Sequence, residues 1–264
     1  MFNDVSDIPV PQWLRARAGA ELVRPVWRNE LGGITYELGL GSGRRFLKWI
    51  PEGSALNLAD EVVRLRWAVA FTPVPMVLDV GHDGGGDWVL TAGLPGRSAV
   101  DPYWLARPAQ AVRGLGVGLR RLHEALPVAG CPFSWSVPVR LADARARAAA
   151  GRMDPKRWHA EHRNLSLADA FERLADAPEI DVAVVGQGDA CAPNTLLTHD
   201  GNPSAHVDLG QLGVADRWAD LAIATWSTQW NYGPGWERTL LDAYGVNPNP
   251  DRIAYYRLLG DLDR

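Results

Sequence analysis

The sequence predicts an α+β chain of two lobes, a small antiparallel sheet followed by a larger helical lobe. Up to about residue 91, runs of β-branched and aromatic residues are punctuated by Gly-rich turns. Beyond Gly93-Leu94-Pro95-Gly96 the apolar residues recur mostly at helical spacing. The length, 264 residues with 47% hydrophobic and 22% charged, is ample for a buried core and ordinary for a soluble globular protein. These observations divide the chain into residues 1–91, a hinge at 92–96 and residues 97–264, with a cleft expected where the lobes meet.

Taken in order, Ala20–Glu30, Gly33–Gly41 and Arg44–Ile50 read as strands, separated by Gly32-Gly33 and Gly41-Ser42-Gly43. Ser54–Ala70 carries apolar residues at helical spacing behind a serine suited to cap it. Pro73–Gly81 and Asp87–Gly96 read as two more strands around the turn His82–Gly86. The second part predicts helices over Pro108–Leu126, Val139–Ala150, Leu167–Ala175, Arg217–Trp230, Pro234–Tyr244 and Pro250–Leu262. Short strands near Val182–Val185, Thr195–Thr198 and Ala205–Val207 interrupt them. The Ala/Arg-rich stretch Arg140–Arg152 reads as a solvated amphipathic helix.

A net charge of −4 argues against nucleic acid or an anionic membrane as partner and favours a cationic small molecule. Cys131 and Cys191 make neither a disulfide framework nor a zinc site, and Cys131 reads as core. The first residues lack a basic and apolar leader, and no apolar run is long enough to span a bilayer, so a cytoplasmic location is expected. Twelve tryptophans predict core packing, with some available to line a pocket.

The chemistry concentrates in "VVGQGDACAPNTLL", Val184–Leu197. Asp189 and Asn194 stand five residues apart after an apolar strand, and Asp208-Leu209-Gly210 follows. Phosphoryl transfer to a hydroxyl needs a carboxylate to orient the attacking group and oxygen ligands to hold magnesium on the phosphates. Asp189 suits the first role; Asn194 and Asp208 suit the second. Lys48, on the apolar strand "RFLKWI", and Glu61, on the following helix, would pair on the nucleotide side, with Asp60 the alternative if the helix register shifts by one. Gly32, Gly33 and Thr35 would approach the phosphates, and Ala92 to Leu94 would face an adenine through their backbone.

Several blocks resemble the aminoglycoside 3'-phosphotransferases: "GDACAPN", "VDLGQLGVADRWADLAIAT" and "RIAYYRLL", with weaker likeness in "DEVVRLRWA" and "LRRLHEALPVAGCPF". The likeness runs from about Arg28 to Leu262. It implies a protein-kinase-like bilobal fold, ATP or GTP with Mg2+, and γ-phosphoryl transfer to a hydroxyl of a small molecule. It also implies Asp189 as catalytic carboxylate, Asn194 and Asp208 as metal ligands, and Lys48 with Glu61 on the nucleotide.

Departures cluster in two places. The family's catalytic loop begins His-Gly-Asp; here Gln187 replaces the His, a scaffold position that Gln's donor and acceptor can serve. On the acceptor side, Asp154 and Glu161 remain, but Lys156 and Arg157 stand where the family is acidic. Thr225–Gly233 offers Trp226, Trp230 and Asn231 without a charge, Gln211 replaces an Arg, and Gly260-Asp261 with Asp263 replaces an acidic pair. Asp154, Glu161, Trp230 and Asp261 are therefore the expected acceptor contacts. The alternatives are the same chemistry on a less cationic acceptor, or a nucleotide-binding pseudokinase.

Overall fold

The computed structural model describes residues 5, 7–29, 31–54 and 56–263. Glu30, the expected end of the first strand, and Ala55, inside the helix expected over Ser54–Ala70, lie outside them. The chain divides into two compact units, 1–96 with 204–210, and 97–203 with 211–264. Residues 204–210, which the sequence reading placed with the second lobe, group with the first unit. Ser204 Oγ donates to Pro95 O at 2.8 Å and His206 N to Pro73 O at 3.4 Å, which fastens this segment there.

The first unit starts with α1 (Gln12–Ala18), which the sequence reading missed because seven residues are too few to display a period. A five-stranded antiparallel sheet follows: β1 (Val23–Arg28), β2 (Ile34–Leu38), β3 (Arg45–Pro51), β4 (Val77–His82) and β5 (Gly86–Ala92). Its order is β1-β2-β3-β5-β4. The two-residue period of a strand sorts its side chains. Tyr36, Leu38, Leu47, Trp88 and Leu90 pack with Leu14 and Ala18 of α1 on one face. On the other, Ile50 and Val89 meet Leu58 and Val62 of α2 (Leu58–Ala68). Lys48 shares the parity of Ile50 and so lies on the α2 face.

The cap of α2 is Asn57, not Ser54. Asn57 Oδ1 accepts from Ala59 N at 3.0 Å, and its Nδ2 donates to Asp60 Oδ2 at 3.0 Å. Ser54 Oγ instead accepts from Leu56 N, ahead of the helix. Asn57→Ala is expected to cost about 1 kcal/mol, and Ser54→Ala no more than about 0.5 kcal/mol, read from urea denaturation midpoints.

The second unit carries β6 (Arg97–Ser98), α3 (Pro102–Leu105), α4 (Pro108–Ala125), α5 (Val137–Ala149) and α6 (Leu167–Arg173). Then come β7 (Ala183–Gly186), β8 (Thr195–Leu197), β9 (Pro203–His206), most of which groups with the first unit, β10 (Gly213–Asp216), and helices α7 (Arg217–Tyr232), α8 (Glu237–Tyr244) and α9 (Pro250–Leu262). β7 and β10 form an antiparallel pair with Val185 opposite Val214. The four-residue β10 and two-residue β6 escaped the sequence reading because neither is long enough to alternate. α8 begins three residues later than expected, after Gly233 and Gly235, both at positive φ.

α4 and α8 pack closely because Gly116 has no side chain: a Cβ there would lie 2.4 Å from Leu240 O. Arg140, expected in solvent, is instead buried on α5, with Nη2 donating to Asp263 Oδ2 at 2.5 Å. Cys131 and Cys191 are free thiols, half-buried and not core. Among the described residues no helix is long and apolar enough to cross a membrane.

Candidate active site

In the first unit the functional side chains meet at Lys48. Its Nζ donates to Glu61 Oε2 at 2.8 Å and to Asp208 Oδ1 at 2.7 Å. Glu61 reaches it because Leu58, Glu61, Val62 and Leu65 form the buried stripe of α2. Asp60, one step around the helix, is exposed and bonded to Asn57, so the pairing falls on Glu61. Burial alone would lower the Lys48 ammonium, but the charges of Asp208 and Glu61 outweigh it and the net shift is upward. Burial pushes Glu61 up, with Lys48 opposing and Asp208 adding to the push. Asp208 sits at φ 59°, the only non-glycine residue at positive φ among those described. Such backbone costs about 1–3 kcal/mol and persists where surrounding structure enforces it.

The turn between β1 and β2 departs from expectation. Asn29 Oδ1 accepts from Leu31 N at 3.0 Å and Gly33 N at 2.7 Å, and Gly32 N donates to Asn29 O at 3.2 Å. The N–H groups assigned to phosphates are thus engaged by Asn29 within the turn. A Cβ at Gly33 would lie 2.5 Å from Asn29 Nδ2, so a side chain there would push the Asn29 amide aside. Thr35 pairs directly opposite Lys48, on the same face of the sheet. In the expected hinge, Ala92 N donates to Met76 O and Gly93 N to Arg44 O, both at 2.9 Å, while Leu94 O accepts from Arg44 Nη2 at 2.7 Å. The Ala92 N–H and the Leu94 carbonyl are therefore bonded within the unit itself.

In the second unit the catalytic loop leaves β7 at Gly186. Gln187 is fully buried, Gly188 turns at φ 87°, and Asp189 follows half-buried. A side chain at Gly188 would meet Gln211 O at 2.5 Å. Asn194 Nδ2 donates to Asp189 O at 2.9 Å and to Asp189 Oδ2 at 3.0 Å. Two further bonds brace the loop: Ala192 N to Ser227 Oγ and Ser98 Oγ to Pro193 O, both 2.8 Å.

The residue that sequence reasoning missed is Asp220. Its Oδ2 accepts from Gln187 N at 2.6 Å and faces His123 Nε2 at 2.9 Å, and its Oδ1 accepts from Gly188 N at 2.9 Å. His123 Nδ1 in turn meets Tyr244 OH at 2.8 Å. Asp220 thus holds the backbone immediately before Asp189. The signal available was an acid on an otherwise apolar helical face of "RWADLAIAT", where an unpaired charge would be costly. Burial pushes Asp220 up, but the hydrogen bond and charge of His123 and the two loop N–H groups outweigh it and hold the carboxyl below its ordinary range.

The expected acceptor residues separate. Asp154 is exposed and accepts from Lys156 N at 3.0 Å, capping a short turn. Glu161 is exposed, 3.9 Å from Arg257 Nη1. Trp230 is half-exposed and stacks on His159, with ring centroids 4.5 Å apart. Asp261 is corrected from a ligand contact to an internal anchor: it is 0% exposed, and its carboxylate accepts from His159 and His162.

No group of three or more His, Cys, Asp or Glu residues that would cage a metal exists among the described residues. Asn194 in the second unit offers an amide oxygen, and Asp208, grouped with the first, a carboxylate oxygen; each is a hard donor of the kind magnesium takes. Asn194 turns its amide nitrogen to Asp189, which leaves its oxygen as the donor for such an ion.

The model of the phosphotransferase enzyme family matches residues 31–256. An aminoglycoside 3'-phosphotransferase of Streptomyces fradiae is 32% identical over 80% of this chain and 82% of its own length. The crystal structure of an aminoglycoside 3'-phosphotransferase of type VIII aligns with a TM-score of 0.81 at 29% identity, covering 95% of this chain and 96% of that one. The aminoglycoside phosphotransferase APH(3'')-Id of Streptomyces rimosus, solved with ADP and streptomycin, aligns with a TM-score of 0.75 at 29% identity over 94% and 95% of the two chains. The protein-kinase-like α+β fold agrees with these likenesses, and the chain belongs to the phosphotransferase enzyme family.

Proposed function

We propose that this enzyme moves the γ-phosphoryl group of a nucleoside triphosphate, ATP in the first instance, to a hydroxyl of an aminoglycoside-type small molecule. The observation that carries the reading is Lys48 held between Glu61 and Asp208, 160 positions apart in sequence from the latter. An ammonium fixed by a helix carboxylate beside a D-x-G aspartate is what a polyphosphate with magnesium requires. In this reading Asp189 orients the acceptor hydroxyl and takes its proton, and Asn194 and Asp208 provide oxygens for magnesium, which neutralises charge on the phosphates. Gln187 gives no support to a pseudokinase, since it meets Asp220 through its backbone N–H, a bond that any residue there makes.

The test is ADP release by the purified protein with magnesium and ATP over a panel including kanamycin, neomycin, paromomycin and streptomycin. Acceptor-dependent ADP release, with product mass increased by one phosphoryl group, is expected for at least one. No acceptor-dependent release from any member would sink the proposal.

A further inference from the structure

The buried carboxylate of Asp261 lies under an aromatic cluster in the second unit. His159 lies flat against Trp230, with 4° between the rings, and meets Trp226 at 3.8 Å between centroids. Its Nδ1 is 2.7 Å from Asp261 Oδ1, and its backbone N–H points at both Asp261 oxygens from 3.3 Å. Asp261 Oδ2 takes His162 Nδ1, also at 2.7 Å. His162 and Trp226 are buried, and the Arg257 guanidinium backs Trp226 at 5.4 Å. Trp230 is 39% exposed and the His159 side chain 18%, so these two rings form the outer surface of the cluster.

Three features argue for a built surface. A carboxylate is costly to bury and here fixes the orientation of an imidazole at the surface. Nδ1 of His159 is taken by Asp261, so Nε2 is the ring nitrogen directed away from the carboxylate. The cluster also adjoins the catalytic loop: Ser227, which follows Trp226, takes the Ala192 N–H at 2.8 Å, and Asn231 Nδ2 donates to the same serine. Ser227, Trp230 and Asn231 share one face of α7.

The local charge argues against a polyammonium ligand. Three neighbouring carboxylates have a cationic or imidazole partner: Glu237 accepts from Arg257 Nη2 at 2.7 Å, Glu161 lies near Arg257 Nη1, and Asp261 holds two histidines, while exposed Asp154 caps a turn through the Lys156 N–H. Lys156, Arg157 and Arg163 are exposed on the segment that carries His159. α7 has no charged residue after Asp220. Aromatic faces, by contrast, suit the C–H face of a saccharide or cyclitol ring.

We propose that His159 and Trp230 form the floor of the acceptor subsite, where an amino-poor hydroxylated ring lies on the tryptophan and hydrogen-bonds through a hydroxyl with His159 Nε2. The proposal rests on the phosphotransferase reading above and names the acceptor class it would use.

The test is calorimetric titration of the full chain with neomycin and paromomycin, which differ by one amino-for-hydroxyl replacement, using wild type, Trp230→Ala, His159→Ala and His159→Phe. Wild type is expected to bind paromomycin more tightly than neomycin. Trp230→Ala and His159→Ala each weaken it by about tenfold with the ATP KM unchanged; Trp230→Ala keeps the melting temperature, whereas His159→Ala lowers it because buried Asp261 loses one of its two histidines. His159→Phe keeps the stack and recovers only part of the loss. Equal or tighter neomycin binding, no binding of either ring, or unchanged affinity in both alanine variants overturns the subsite. Turnover with unchanged variant affinity leaves phosphoryl transfer standing without this subsite. Ring binding without turnover in wild type removes phosphoryl transfer and leaves the subsite.

Discussion

Replacing Asp189 by alanine is expected to lower kcat by about 10²–10⁴-fold, the usual contribution of a positioned base, with the ATP KM and melting temperature close to wild type. The separation follows from the bonding. Asp189 is half-buried, and its loop is held chiefly by other groups: Asp220 on Gln187 and Gly188, Ser227 on Ala192, Ser98 on Pro193. Without the Asp189 side chain, Asn194 Nδ2 retains its bond to the Asp189 carbonyl. Steady-state ADP release and a thermal melt on the same preparation check both parts. A variant turning over at the wild-type rate would falsify the assignment of Asp189 as the base.

The second large effect is expected at Asp220, on stability and rate together. In Asp220→Asn one carboxylate oxygen becomes an NH2 group facing an N–H donor of Gln187 or Gly188. Breaking a buried charge interaction in this way costs about 3–5 kcal/mol, read as a lowered urea midpoint. The rate falls too, because the displaced backbone immediately precedes Asp189. The pH dependence has a definite sign. The folded-state pKa of Asp220 lies below its ordinary 3.8, so its contribution is complete above that value and is lost as pH falls through the folded value. Wild-type stability is therefore expected to fall steeply below about pH 4, and the asparagine variant to lack that portion of the fall. Matching acid profiles for the two proteins would remove Asp220 as the buried anchor.

Much of the site was legible because phosphoryl-transfer chemistry demands particular residue types at short spacing. Asp189 and Asn194 lie within one loop, Asp208 carries its own D-x-G, and Lys48 stands as a charge on an apolar strand. The acceptor side was legible only as an absence of carboxylates. Asp261 was misjudged because a single acid near the end of a helix looks the same whether it faces solvent or supports two histidines 99 and 102 positions earlier. His159 and His162 gave no local signal at all. The Gly32-Gly33 turn showed the reverse error: the glycines were correctly seen to permit close approach, but the group that approaches is the side chain of Asn29.

By itself, then, the sequence determined what alternation and period encode, a strand-rich first part and a helical second part, and its spacing supplied the candidates proposed for proton and phosphate chemistry. Pro250–Leu262 matches the helix found there at both ends. Tertiary structure alone decided which buried charges meet. It placed Lys48 against Asp208, Asp220 against the loop backbone and His123, and Asp261 beneath His159. The physical reason is that a buried charge must find a partner wherever the fold supplies one, and a partner a hundred residues away leaves no periodic trace in the chain.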